Sequence, residues 1–153
     1  MNNREIKFRA HDGSNWWVGL LVFHGSAVAN YAQIIDRDTG IISDNAFTDS
    51  VGQYTGLKDK NGKEIYEGDL VRHVAAFFIP LDDGSKDMEL VESEDVGSIV
   101  FDHGSFMFVT PEDPPRLSVT LWPGVGGLLS EDERYDFEVI GNIYENPELL
   151  SNE

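Results

Sequence analysis

The chain has 153 residues, no cysteine and a formal net charge of −17. The missing cysteine excludes disulfides, thiol catalysis and cysteine–zinc sites, and 41% hydrophobic residues are enough for a globular core in one domain or two small subdomains. The charge is uneven: residues 1–63 hold seven basic and seven acidic side chains, residues 64–153 four basic and twenty-one acidic, so the second part carries the whole excess. Such a surface repels phosphate backbones, so no direct nucleic-acid binding is expected. It attracts basic surfaces at range, more so at low salt. No apolar run approaches the roughly 18 residues of a membrane helix, and the start, Met1-Asn-Asn-Arg-Glu-Ile-Lys7, has no signal-like apolar stretch. No membrane contact and a cytoplasmic location are expected.

Ile6, Phe8 and Ala10 alternate with Lys7 and Arg9, which predicts a half-buried strand. His11-Asp-Gly-Ser14 is a turn, residues 16–23 are an aromatic and branched strand, and residues 28–35 are a third. Residues 43–51 are polar and read as loop or edge. Residues 70–79 form a strongly apolar strand that Pro80 stops. Residues 81–95, with seven acids and one lysine, read as an exposed acidic loop with room for a short strand at 88–91. Residues 96–101 and 105–109 form a hairpin around Asp102-His103-Gly104. Residues 110–135 read as an extended, proline- and glycine-rich loop with a weak edge strand at 117–122. A last strand follows around 137–143, and Asn146-Pro147 offers the start of a final turn whose Leu149-Leu150 would cover a barrel end.

The densest turn grammar lies at residues 51–71. Asn61-Gly62 predicts a type I′ hairpin turn, which needs positive φ at both central positions, and Glu67-Gly68-Asp69 a second reversal. Tyr54-Thr-Gly-Leu-Lys-Asp-Lys-Asn-Gly-Lys-Glu-Ile-Tyr-Glu-Gly-Asp-Leu-Val71 resembles the signature of the YopX-like family of phage and prophage proteins. Arg4-Glu-Ile-Lys-Phe-Arg-Ala10 and Glu138-Val-Ile-Gly-Asn-Ile-Tyr-Glu-Asn-Pro-Glu-Leu-Leu150 agree with it at the two ends. His11 stands where the family usually has Trp, and residues 111–129 resemble an expansion relative to compact members. The resemblance implies an all-β chain: an N-terminal barrel-like β subdomain, placed at residues 1–56, then a C-terminal SH3-like barrel at residues 57–153. It carries over no activity and no cofactor. Short strands every eight to twelve residues point the same way.

Catalytic grammar is absent. The four histidines lack metal-ligand spacing, and the acids of 82–95 miss the register of a calcium loop. No Gly-x-Ser-x-Gly elbow or Ser-x-x-Lys occurs, and Gly124-x-Gly-Gly lacks the Lys-Ser/Thr of a phosphate loop. The chain therefore reads as no enzyme, with no cofactor and no metal. Trp17, Tyr54, Tyr66 and Trp122 are candidates for an aromatic peptide platform, flanked by Asp82, Asp83, Asp87 and Glu89. Against that stands a packing role: Trp16 and Trp17 point to opposite faces of one strand, so at least one is core. The turn residues of the signature likewise need no ligand to explain them. The favoured expectation is an accessory binding module for a protein with a basic surface. An acidic mimic of nucleic acid and a small-ligand binder or enzyme with a pocket between subdomains are the alternatives. Homo-oligomerisation is compatible with exposed barrel edges.

Overall fold

Alternating apolar and polar side chains, broken by turn residues, give strands and no α-helix among the described residues of the computed structural model. These are residues 5–22, 31–43, 45–81, 84, 86–112, 118–121 and 136–151. The strands are β1 Phe8–His11, β2 Trp16–Val22, β3 Tyr31–Ile35, β4 Ala46–Phe47, β5 Gly52–Lys58, β6 Glu64–Tyr66, β7 Asp69–Pro80, β8 Met88–Asp102, β9 Ser105–Val109, β10 Ser118–Leu121 and β11 Asp136–Asn142. Single 3-10 turns occupy Thr48–Ser50 and Pro147–Leu150. Two antiparallel sheets result, in the orders β4-β3-β2-β1-β5-β6 and β10-β9-β8-β7-β11.

The all-β expectation holds, with two antiparallel sheets, and among the described residues neither sheet is closed. The first ends on strands of two and three residues, too short to join across a barrel seam. In the second, the outer side of β11 is met by the β5–β6 turn: Lys60 N–H donates to the Phe137 carbonyl at 3.0 Å, and Val139 N–H to Asp59 Oδ2 at 3.0 Å. Those two groups of the edge are thereby taken by the turn and are not offered to a closing strand.

The hairpin β5–β6 belongs to both halves. By hydrogen bonding it completes the first sheet; by packing, Leu57 and Ile65 join the second core with Val71, Ile99, Phe106, Phe108, Phe137 and Val139. The first core is smaller, with Ala10, Ile34 and Ala46 buried under Phe8, Trp17, Leu21 and Val51. The chain changes sheet at Glu67-Gly68, later than the expected division at 56/57.

Two turn readings change. Asn61 does not take positive φ; Gly62 alone does, at +82°. The turn is longer than a two-residue I′ loop because Asp59 organises it: Gly62 N–H donates to the Asp59 carbonyl, and Asp59 Oδ1 accepts from Asn61 N–H and Lys63 N–H. The I′ geometry sits instead at His103-Gly104, with φ of +48° and +82° between the paired residues Asp102 and Ser105.

The acidic loop expected at 81–95 is corrected as well. Residues 88–95 are strand, since β8 runs unbroken against β7 from Met88 to Ser98. Val91 and Val96 add branched side chains that favour an extended backbone. Within 110–135, residues 118–121 form β10 at the sheet edge; residues 113–117 and 122–135 lie outside the described residues. The terminal turn forms at Pro147–Leu150, with Leu149 exposed and Leu150 half-buried, and Asn146 makes no side-chain cap.

Candidate functional site

Two groups of carboxylates behave in opposite ways. The first lies at the junction of the sheets. Asp69, at the start of β7, is 1% exposed; one oxygen meets the Arg9 guanidinium at 2.6 Å and the other accepts the Tyr66 N–H at 2.8 Å. Burial pushes the Asp69 carboxyl up, against the opposing pull of Arg9 and the Tyr66 amide. Asp59 is buried too, and burial works to raise it, but the N–H groups of Val139, Lys63 and Asn61 together hold it below the usual carboxylate range. Each carboxylate thus accepts backbone N–H groups that the turns leave without a strand partner.

Arg9 is held by rings as well as by charge. Its guanidinium lies 4.7 Å from the Trp16 ring centre and 4.9 Å from that of Tyr66. Beside it Lys7 sits 4.6 Å over Tyr54 and bonds Glu64 at 2.6 Å, while the Tyr66 hydroxyl donates to the other Glu64 oxygen at 2.8 Å. Burial would raise Glu64, but Lys7 and Tyr66 hold it below its ordinary value. Trp16 continues the stack to Tyr144 and donates its indole N–H to Glu145. Gly68 closes this junction. Its φ is +84°, and a Cβ there would stand 3.0 Å from the Tyr144 ring, so the turn demands glycine twice over. Its N–H donates to the Ile99 carbonyl and its carbonyl accepts from Ile143 N–H.

The second group lies on the β7–β8 hairpin. Among the described residues, 75–80 pair only with 88–93: the pairing of β11 is described as far as Val74, and that of β9 ends at Ser98. At roughly 3.3 Å per residue this two-stranded arm projects about 20 Å past its neighbours among the described residues. Asp87, Glu89, Glu92 and Glu94 are exposed along it, as are the apolar Ile79, Met88 and Leu90, the last two 52% exposed. Met88, Leu90, Glu92 and Glu94 share one face of β8. Arg72 pairs with Glu94 at 3.1 Å at the foot of the arm, and with Glu138, which Lys60 also holds. His73 faces Asp95 across the strands there, its ring against Phe137 and Phe108.

A cleft of about 550 Å³ lies on the first sheet, lined by Glu5, Lys7, Val18, Gly19, Asp36, Arg37 and Asp38. Lys7 is engaged there by Glu5 and Glu64, and the Asp36 carboxylate binds its own turn at Asp38 and Thr39. Among the described residues no group of three His, Asp or Glu side chains is placed to hold a metal ion, and no helix is long and apolar enough to cross a membrane.

The profile of the YopX protein family matches residues 7–151. This chain belongs to the YopX family. No curated protein matches it. Among solved structures it is similar to protein EF1440 from Enterococcus faecalis, with 23% identity, 96% of this chain and 99% of that chain covered, and a TM-score of 0.44.

In this YopX-family chain the aromatic platform expected from Trp17, Tyr54, Tyr66 and Trp122 does not assemble from the described residues. Tyr54 and Tyr66 stack on each other at 5.4 Å and are buried, so their faces are closed to a partner. Trp17 packs on the first core and donates to Asp12, whose carboxyl it and the amides of Asn15 and Ser14 hold at about 2. Trp122, Asp82 and Asp83 lie outside the described residues. Asp87 and Glu89 fall on the arm. Sequence reasoning missed Arg9, Asp59 and Asp69 as the hub of the junction. Their signal was present: two aspartates placed at turns of the signature, and an arginine on the opening strand with no acid beside it.

Proposed function

We propose that this YopX-family chain is a non-catalytic binding protein that uses the β7–β8 arm to engage a protein partner with a basic surface. The observation that carries the reading is the arm itself, where carboxylates at 87, 89, 92 and 94 stand beside exposed Ile79, Met88 and Leu90 with no third strand over them among the described residues. Exposed apolar side chains supply contact area once water is excluded, and the carboxylates supply attraction at range and selection against acidic partners. The setting we infer is a phage or prophage accessory protein acting in a host cytoplasm, with the second sheet an SH3-like arrangement opened by its long hairpin.

Nucleic-acid mimicry is the weaker reading, because Met88 and Leu90 interrupt the row that Glu92 and Glu94 begin. The ligand-pocket reading is weaker too: Tyr54 and Tyr66 are packed shut, and in the cleft Lys7 is already engaged by Glu5 and Glu64 and Asp36 by its own turn. The test is retention of partners from host lysate on the immobilised chain at low and high salt. The reading expects a salt-sensitive partner that the triple variant Glu89→Gln, Glu92→Gln, Glu94→Gln no longer retains. Equal retention by that variant overturns it.

A further inference from the structure

The arm has a backbone as well as a charge, and the direction of its amides can be worked out. Asp102 and Ser105 close the two-residue turn at His103-Gly104, so they exchange hydrogen bonds with each other. Alternation then gives the N–H and C=O of Val100 and Ser98 to β9, and those of Phe101, Ile99 and Gly97 to the β7 side. The Ile99 carbonyl agrees: it accepts from Gly68 N–H, immediately ahead of β7. The pairing of β8 with β7 runs without a register break to Met88. The backbone groups of Val96, Glu94, Glu92 and Leu90 therefore point away from β7, along an edge that no strand of the described residues occupies.

Resting on the arm as the binding element, we propose that its partner docks by strand addition: an extended basic segment pairs antiparallel with the β8 edge at residues 88–94. Exposed strand edges recruit strands unless blunted by charge, proline or a bulge. From Met88 to Gly97 the β8 edge has no proline, bulge or lysine, and its charges are all acidic, which turns away acidic strands and leaves it open to a basic one. The corresponding end of β7 is blunted by Pro80, which has no N–H to give. The side chains on β8 specify the occupant. Residues directly opposite in an antiparallel pair share a face. A segment with basic residues across from Glu94 and Glu92 and apolar residues across from Leu90 and Met88 meets each side chain with its complement. Its pattern is basic-x-basic-x-apolar-x-apolar from N- to C-terminus. Glu94 then serves both this segment and Arg72. A second copy of the chain is a poor occupant, since it would set glutamate against glutamate in a molecule of net charge −17.

The probe is the peptide Lys-Thr-Lys-Thr-Leu-Thr-Leu, with a second version N-methylated at the residues whose amides would face β8. Charge and side chains are the same in both; only one can add as a strand. Binding is measured by titration at low salt, and the amides of Leu90, Glu92 and Glu94 are followed by hydrogen exchange. Strand addition predicts protection of those three amides by the first peptide and at least about tenfold weaker binding of the second, as expected from losing a few backbone hydrogen bonds. Glu92→Pro, which removes one outward N–H and leaves the β7 ladder intact, should weaken the first peptide more than Glu92→Gln does. Equal binding of the two peptides overturns strand addition while leaving the arm as an electrostatic surface. Failure of both to bind overturns strand addition together with the arm reading. Protection that appears with protein concentration alone assigns the edge to a second copy and overturns the basic occupant.

Discussion

Asp59 and Asp69 at the junction and Glu89 and Glu92 on the arm are all carboxylates of one acidic chain, and they do different work. Asp59 accepts three backbone N–H groups, and Asp69 accepts one and pairs with Arg9. Glu89 and Glu92 are exposed on a strand whose outer side is open among the described residues. What separates the two sets is burial and the supply of donors. A carboxylate beside a tight turn is drawn in to satisfy amides; one on a projecting edge is left to solvent and to whatever approaches. Net charge alone therefore says little about which acids bind a partner.

The comparison breaks most visibly at Arg9. Arg9→Ala leaves Asp69 enclosed without its counter-charge, a loss of about 3–5 kcal/mol, and thermal unfolding should fall by about 2–4 °C for each kcal/mol in a chain of this size. Asp59→Ala comes next, at about 1–3 kcal/mol for stranded amides at Asn61, Lys63 and Val139; urea unfolding is the measure. Gly68→Ala follows, at about 1–2 kcal/mol for the left-handed backbone, with any push against the Tyr144 ring added.

Acid sharpens the contrast within the junction. The Asp59 carboxyl is held below its unfolded value, so its contribution is present above the unfolded pKa and is lost as pH falls through the depressed folded pKa. Asp69 runs the other way. With its folded pKa raised, its contribution is present below the unfolded pKa and is lost as pH rises through the folded one. Asp59→Asn should therefore flatten the acid limb of a stability–pH profile, whereas Asp69→Asn should steepen it. Identical acid limbs in both variants would contradict these opposite shifts.

Much of the fold was legible. Alternation at Phe8 and Ala10 and at Phe137 and Val139, and the apolar start of β7 at Leu70 and Val71, mark strands because one side of each meets a core. Asp102-His103-Gly104 marks its hairpin because glycine makes the positive φ accessible. The length of β8 was not legible, since seven acids among residues 81–95 look like loop to any reading of composition. They are strand because the apolar run of β7 offers a partner across its whole length, and pairing with a distant segment outweighs local polarity. Tyr54 and Tyr66 are withdrawn from the expected aromatic platform for a related reason. Tyr54 and Tyr66 carry the pattern of a binding face, but Lys7 and Arg9 from the first strand lie over them, and two cations at residues 7 and 9 say nothing by themselves about which rings they will cover. Asn61-Gly62 misled because the preceding Asp59 side chain competes for the turn amides.

The smallest expected change in stability belongs to the arm. Substitution of exposed side chains away from packing stays within about 0.5 kcal/mol, so the triple variant Glu89→Gln, Glu92→Gln, Glu94→Gln should unfold almost as the parent does. The most direct test follows that variant in two readouts, thermal unfolding and low-salt titration with the Lys-Thr-Lys-Thr-Leu-Thr-Leu peptide. Near-unchanged unfolding with binding lost is the result predicted for acids that serve a partner. A variant that binds as well as the parent, or that unfolds as early as Arg9→Ala, would contradict the division between the two sets of carboxylates.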